Sequence, residues 1–409
     1  MANAYQKVFS RDSLWEAWRH LYKNAKPSSR NTVGSDAISI NDFEQNAHVR
    51  LRQLHNDLAS GHYTFSDLRP VLLKKRNGKD RLICIPTVRD RVVQRAILNF
   101  LAHKYSPKLK NRISYGFLPD RSVQEAAAVA VRIRNVKKWV FKTDITAFFD
   151  RIPRDELARR VEGLVRESSL HQLLRSAVSC EIGAVERSHQ RRISKLGIRS
   201  GLGVRQGMPL SPFFSNVLLQ KFDEALVKRR FQAVRYADDL IFFADSEAEC
   251  FAIFDYCQAE LGRLGLEIPS IGEGSKSEIY APAASAEFLG LALAPLRNGD
   301  TYTLMLSTQQ FEQIRKEMGA FSSLEELLSR GITLKNLVPA VSAKAAGYLH
   351  AYQFCSNYDQ LENLLTELTH DALRRLYKHG LGLNLHQMSG AALRFLGLPE
   401  QRALANAKK

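Results

Sequence analysis

The stretch "VRYADDLIFF", residues 234–243, sets two adjacent carboxylates, Asp238 and Asp239, between two strongly apolar runs. Neighbouring residues in a strand point to opposite faces, so in a continuous strand one of the two would be driven into the core. In a tight hairpin turn both can instead reach one external point. Crowded carboxylates raise each other's proton affinity unless a cation lies between them. The pair therefore reads either as an ordinary solvated turn of the kind Asp favours or as part of a cation site.

Upstream, "KWVFKTDITAFFDRIP" (138–153) is a buried apolar strand that ends on Asp144 and turns into a helix at "PRDELARRVEGLV". A strand carrying one carboxylate beside a hairpin carrying two assembles three acids on one sheet. Such an oxygen-only set suits Mg²⁺, which is bound through a few carboxylates and otherwise by water and substrate phosphates. Two Mg²⁺ ions assist in-line phosphoryl displacement, one activating the attacking hydroxyl and the other steadying the leaving oxygens.

The bulk charge points the same way. The 409 residues carry 59 Lys+Arg against 42 Asp+Glu, a net charge of +17, and a chain this basic works beside a polyanion, nucleic acid first. A binding module gains nothing from concentrating acid inside such a chain, whereas an enzyme acting on nucleotides does. An anionic membrane partner would call for a basic amphipathic helix or a lipidation motif, and neither stands out. The first residues, "MANAYQKVFSRDSLWEAWRHLYK", are too polar for a secretory segment and no apolar run nears a membrane span, so a cytoplasmic protein is expected. Cys84, Cys180, Cys250, Cys257 and Cys355 are scattered without zinc or disulfide spacing.

Residues 1–68 read as a helical N-terminal region, with Ser39 or Asn41 as a cap and Gly61 as a stop. "RPVLLKKRNGKDRLICIPT" (69–87) alternates as two strands about Asn77-Gly78, a hairpin signal, and a helix follows from about Asp90. Residues 165–200 are helical and then basic, with "RSHQRRISKLGIRSG" (187–201) read as a loop. "LSPFFSNVLLQKFDEALVKR" (210–229) and "EAECFAIFDYCQAELGRLGLEI" (247–268) are helices flanking the acidic hairpin, and "EFLGLAL" (287–293) is a short strand. Residues 69–300 form the core, its sheet mainly within 138–300, and 301–409 are expected to be helical. Tyr348, Tyr352, Phe354 and Tyr358 recur at helical spacing and are expected to pack a bundle.

"KTDITAFFDRIP", "VRQGMPLSPFFSN" and "VRYADDLIFFAD", in that order, resemble the palm motifs of reverse transcriptases, most nearly bacterial enzymes of the group II intron type. "RLICIPTVRDRVVQRAI", "SYGFLPDRSVQEA" and the earlier "NTVGSDAISINDF...LASGHYTFSDLRPVLLKK" resemble the fingers of that family, so the likeness runs from about residue 33 to 293. "AAGYLHAYQFCSNYDQLENLLTELTHDALRRL" more weakly resembles its helical thumb. The resemblance implies an α+β right-hand polymerase fold: fingers, an antiparallel-sheet palm and an all-α thumb. It implies RNA-directed DNA synthesis from dNTPs on an RNA template, with two Mg²⁺ ions and a DNA product.

The same resemblance implies roles for individual residues. Asp144, Asp238 and Asp239 would hold the metals, with the backbone carbonyl of Ile145. Phe149 falls at the ribose gate, where its ring would exclude a 2′-hydroxyl; ordinary packing is the competing reading. Gln206 and Gly207 would lie against the incoming nucleotide and template. Arg81 would grip the triphosphate, since a guanidinium matches phosphate oxygens bidentately, with Lys79 sharing that task. Lys276 would stand near the leaving pyrophosphate. Gly290, in "FLG" (288–290), matches the element that positions the primer end. Arg191, Arg192 and Lys195 would grip template, or be simply solvated.

Group II intron proteins often carry an HNH-type endonuclease after the thumb, and "LGLPEQRALANAKK" brings no Cys/His cluster for one. The expectation is a freestanding polymerase that copies a dedicated non-coding RNA, as in bacterial antiphage defence. The alternatives are a compact intron-encoded reverse transcriptase/maturase and a catalytically silent RNA-binding regulator on a polymerase scaffold.

Overall fold

The computed structural model describes residues 3–74, 78, 80–296 and 301–399. Its elements are α-helices and three antiparallel sheets, an α+β fold. Two compact units divide the chain: residues 1–133 with 137–281, and residues 134–136 with 282–409.

The first unit opens with helices. Ser39 caps Ile40–Gln45 through a reciprocal pair with Asp42, and the chain breaks at Asn46 before Ala47–Ala59 continues. Strands β1 (Arg69–Lys74) and β2 (Asp80–Ile85) then pair antiparallel. Asn77 and Lys79, within the expected hairpin, lie outside the described residues. Thr87 caps the 22-residue helix Val88–Leu109.

The central sheet has the order β4 (Gln232–Tyr236), β5 (Asp239–Ala244), β3 (Trp139–Asp144), β6 (Glu278–Tyr280). The run "DLIFFA" is buried almost throughout, as a strand covered on both faces must be. Phe141 lies opposite Phe242 in the β3–β5 register, their rings stacked 5.7 Å apart. Helices Ser211–Lys228 and Glu247–Gly262 contribute Phe213, Phe214, Leu218, Ile253 and Cys257 to the same core.

In this first unit one stretch differs from its expected form. Residues 187–195, expected as loop, form a helix, Arg187–Lys195. Its buried anchor is Ile193, and its charged positions all face outward. A helix with a single apolar contact leaves almost no periodic signal to read.

The second unit begins with a three-stranded sheet of β7 (Ala286–Phe288), β8 (Leu291–Pro295) and β9 (Tyr302–Leu306). The expected single strand at 287–293 is thus a two-strand hairpin turning at Leu289-Gly290. Tyr302, Leu304 and Leu306 are buried in alternation, so β9 occupies residues expected to be helical. Helices follow, among them Thr308–Gly319, Leu334–Tyr352 and Tyr358–Arg375. Among the described residues no helix is long and apolar enough to cross a membrane. All five cysteines are buried free thiols.

Candidate active site

The β3–β5 register places Asp144 directly opposite Asp239. Directly opposed residues of an antiparallel pair share one face of the sheet. On the other side of β3, Lys142 pairs with Glu278 of β6, and two further steps along that register bring Lys276 opposite Asp144. The Lys276 ammonium indeed forms an ion pair with Asp144 Oδ2. Asp239, Asp144 and Lys276 therefore form a row across β5, β3 and the segment leading into β6.

Asp238 occupies the two-residue turn between β4 and β5, with Ala237 in the left-handed region at φ 58°. Its carbonyl accepts the Ile145 N–H at 3.1 Å, which continues the β3–β5 ladder one step past Asp144. The hairpin therefore solves the problem of two adjacent acids: Asp239 is the first strand residue and Asp238 the last turn residue, so neither enters the core.

The electrostatics of the row are those of an anion cluster short of cations. Burial, then the charges of Asp238 and Asp144, push Asp239 up to about 6. Burial and the Asp144 charge also raise Asp238, while Lys276 and Arg81 pull it back. Asp144 is 7% exposed, and its buried Oδ1 has no hydrogen-bond partner among the described residues. An unpartnered buried carboxylate oxygen beside two carboxylates that resist ionisation fits a divalent cation. Among the described residues no group of three Asp, Glu, His or Cys side chains already closes around an ion; the Lys276 ammonium holds Asp144 instead.

The "VRQGMPL" segment sits beside β2. The Cys84 N–H donates to the Gln206 carbonyl at 2.7 Å. Gly207 has φ 111°, and a Cβ there would lie 2.4 Å from the Cys84 carbonyl oxygen, so only glycine permits this approach. Phe149 is half-buried against the core and its carbonyl accepts the Val204 N–H at 2.7 Å. Arg81 is exposed on β2 and within electrostatic reach of Asp238.

Other expected site residues stand differently. Arg192 is engaged with Asp80 of β2 at 2.9 Å, on the helix Arg187–Lys195. Arg191 and Lys195 are exposed on that helix. Gly290 belongs to the second unit, in the β7–β8 turn, where its carbonyl accepts from Ser307 Oγ at 3.4 Å. Lys79 lies outside the described residues.

A buried network behind the hairpin escaped the sequence reading. Arg235, 0% exposed, bonds both oxygens of Asp223 (2.7 and 2.6 Å), Ser114 Oγ (2.7 Å) and Asn216 Oδ1 (3.1 Å), and donates to the Ala237 carbonyl at 2.9 Å. Asn216 also donates to the Gly116 carbonyl. A Cβ at Gly116 would fall 2.3 Å from the Ala237 nitrogen. The available signal was an arginine inside an apolar strand, since a buried charge requires a partner.

The profile of the reverse transcriptase (RNA-dependent DNA polymerase) family matches residues 73–293 of this chain, more than half of it. Protein YkfC of Escherichia coli K12 is 32% identical over 209 residues, covering 48% of this chain and 51% of its own. Group II intron-encoded protein LtrA of Lactococcus lactis is 23% identical over 238 residues, covering 58% of this chain and 37% of its own. The chain thus spans about half or less of the length of these relatives. Among solved structures, apo telomerase from Candida tropicalis aligns with a TM-score of 0.46 at 15% identity, over 81% of this chain and 60% of that one. A partial Cas6-RT-Cas1–Cas2 complex aligns with a TM-score of 0.37 at 21% identity, over 64% of this chain and 42% of that one.

Proposed function

The chain belongs to the reverse transcriptase family, and we propose that it is an RNA-directed DNA polymerase whose chemistry is carried by Asp144, Asp238 and Asp239. The observation that carries this reading is the row on the sheet: Asp144 opposite Asp239, Asp238 in the adjoining turn, and an unpartnered oxygen on Asp144. These three carboxylates, with the Ile145 carbonyl, are the groups that would hold two Mg²⁺ ions. Bound there, the ions supply charge for the attacking hydroxyl and the leaving oxygens.

The chain's own residues do the positioning. In the reaction a primer 3′-hydroxyl attacks the α-phosphate of a dNTP; the new P–O bond forms as the bond to pyrophosphate breaks, and the hydroxyl proton is lost. Arg81 and Lys276 are the cations proposed for the triphosphate. Gln206 and Gly207, backed by β2, carry the base-pair side of the site, and the Phe149 ring limits the sugar to a deoxyribose. The RNA template, dNTPs and DNA product are the partners of this reading, and Arg191 and Lys195 are candidate contacts for the template backbone.

The test is primer extension on an RNA template with Mg²⁺, comparing the native chain with Asp238→Ala/Asp239→Ala. Loss of synthesis with RNA binding and unfolding temperature retained supports the assignment; continued synthesis by the double variant sinks it. Sequencing the RNA that co-purifies separates the settings. A single structured non-coding RNA supports a dedicated template, as in antiphage defence, and an intron RNA supports a mobile-element protein.

A further inference from the structure

A second site, cationic where the carboxylate row is acidic, lies in the first unit. A cavity of about 400 Å³ is walled by His20, Thr32, Cys84, Arg91, Arg95 and Gly207, among others. Among the described residues its only fully charged side chains are the two arginines, one turn apart in the helix Val88–Leu109, and no carboxylate lines it. Among the described residues, buried Nε and Nη2 of Arg91 and Nε of Arg95 have no hydrogen-bond acceptor. Arg95 Nη2 reaches only His20 Nδ1, at 3.5 Å. Asp36 and Glu16 offset the two charges from a distance, yet neither forms an ion pair with them among the described residues.

Half-buried guanidiniums without an anion are costly, because the desolvated charge is unmatched and N–H donors go unused. Arg91 sits in the first turn of a long helix, whose dipole adds positive potential there. An anion is the missing component. Apolar walls from Ile83, Ile85 and Pro209 leave room beside it for a sugar.

We infer that this cavity takes a backbone phosphate of the single-stranded template on its way to the Gln206–Gly207 loop. The inference rests on the polymerase reading above, and part of the cavity wall belongs to that same loop: Gly207 lines it, and the Gln206 carbonyl accepts from the N–H of Cys84, which also lines it. Arg91 and Arg95 are then positioning residues for template, acting before any chemistry.

The experiment measures binding, without dNTP, of an RNA–DNA duplex with a 5′ RNA overhang against the same duplex blunt-ended, over a salt series. Arg91→Gln and Arg95→Gln should each weaken overhang binding about tenfold and lower the salt slope by roughly 0.7 per lost contact. Blunt-duplex binding should stay unchanged, the unfolding temperature should not fall because an unmatched buried charge is removed, and Arg91→Lys should recover most of the lost overhang binding. Equal loss on both duplexes, or no loss, with extension intact, overturns this inference alone. A thermal shift of the native chain by millimolar inorganic phosphate at matched ionic strength, lost in Arg91→Gln while overhang binding is untouched, also overturns it and assigns the cavity to a small free anion. Absence of both duplex binding and primer extension in the native chain overturns the polymerase reading, and the inference with it.

Discussion

Arg235 and Asp223 form a fully buried bidentate ion pair, at 2.7 and 2.6 Å, whose arginine also grips the Ala237 carbonyl one residue before Asp238. A left-handed alanine in a two-residue turn is strained by about 1–2 kcal/mol. The donation to its carbonyl, together with Gly116 pressed against its nitrogen, keeps the hairpin in that conformation. Arg235→Met, which strands Asp223, is expected to destabilise the chain by about 3–5 kcal/mol. The double variant Arg235→Met/Asp223→Leu should regain most of that in thermal unfolding. Its primer extension should nonetheless stay down by at least about tenfold, because the turn has lost its donor. Recovery of both stability and activity would show that the pair serves only the core.

Gly116→Ala probes the same turn from the other side. The added methyl meets backbone at 2.3 Å and cannot be relieved by a side-chain rotation. The hairpin must move, and a displacement of even about 1 Å costs on the order of 10²-fold in turnover. Steady-state extension should show this in kcat more than in KM for dNTP.

Lys276 holds the carboxylate proposed as a metal ligand. Removing its charge in Lys276→Gln leaves Asp144 open to the metal. The Mg²⁺ concentration for half-maximal stabilisation in thermal unfolding should fall roughly fivefold, a change of about 1 kcal/mol, the scale of one partly screened charge pair. Maximal synthesis should fall as well if the lysine steadies pyrophosphate. Chelation with EDTA should abolish synthesis by both forms.

Phe149→Ala tests the sugar gate. Incorporation of ribonucleotides relative to deoxyribonucleotides should rise by roughly tenfold to a hundredfold. An unchanged ratio, read by gel with matched nucleotides, returns Phe149 to the packing role its half-buried position also fits.

Glu181 ties the segment leading to Gln206 together. Burial pushes its proton affinity up, but donors from Arg154, Arg205 and the Gly201 N–H outweigh that and hold it at about 2, against an ordinary 4.5. Its contribution to stability is therefore complete above pH 4.5 and fades as the pH falls from there through 2. Glu181→Gln should lose about 1–3 kcal/mol at neutral pH. The gap between variant and native should close in acid, as followed by denaturant unfolding across that range.

Much of this fold is legible in local sequence pattern. Asp144 at the end of an apolar run and Asp238-Asp239 between two others are local patterns, so the strand and the hairpin that carry them were legible, but not their pairing. The capped helix at Ser39, the β1–β2 pair and the helix Ser211–Lys228 likewise follow from caps, turns and spacing within a few residues. The helix Arg187–Lys195 was not legible because a single buried residue, Ile193, carries no period.

What the amino-acid order determined by itself is the set of chemical parts: three carboxylates, a basic surface, and glycines where the backbone must pass closely. Tertiary structure alone decided their partners. Register, a property of strands distant in the chain, set Asp239 and Lys276 on either side of Asp144. Folding also buried Arg235 against Asp223 and left Arg91 and Arg95 lining one cavity without a counter-ion. Local preferences act over a few residues, whereas charge pairing and burial depend on which distant segments fill the space around a side chain.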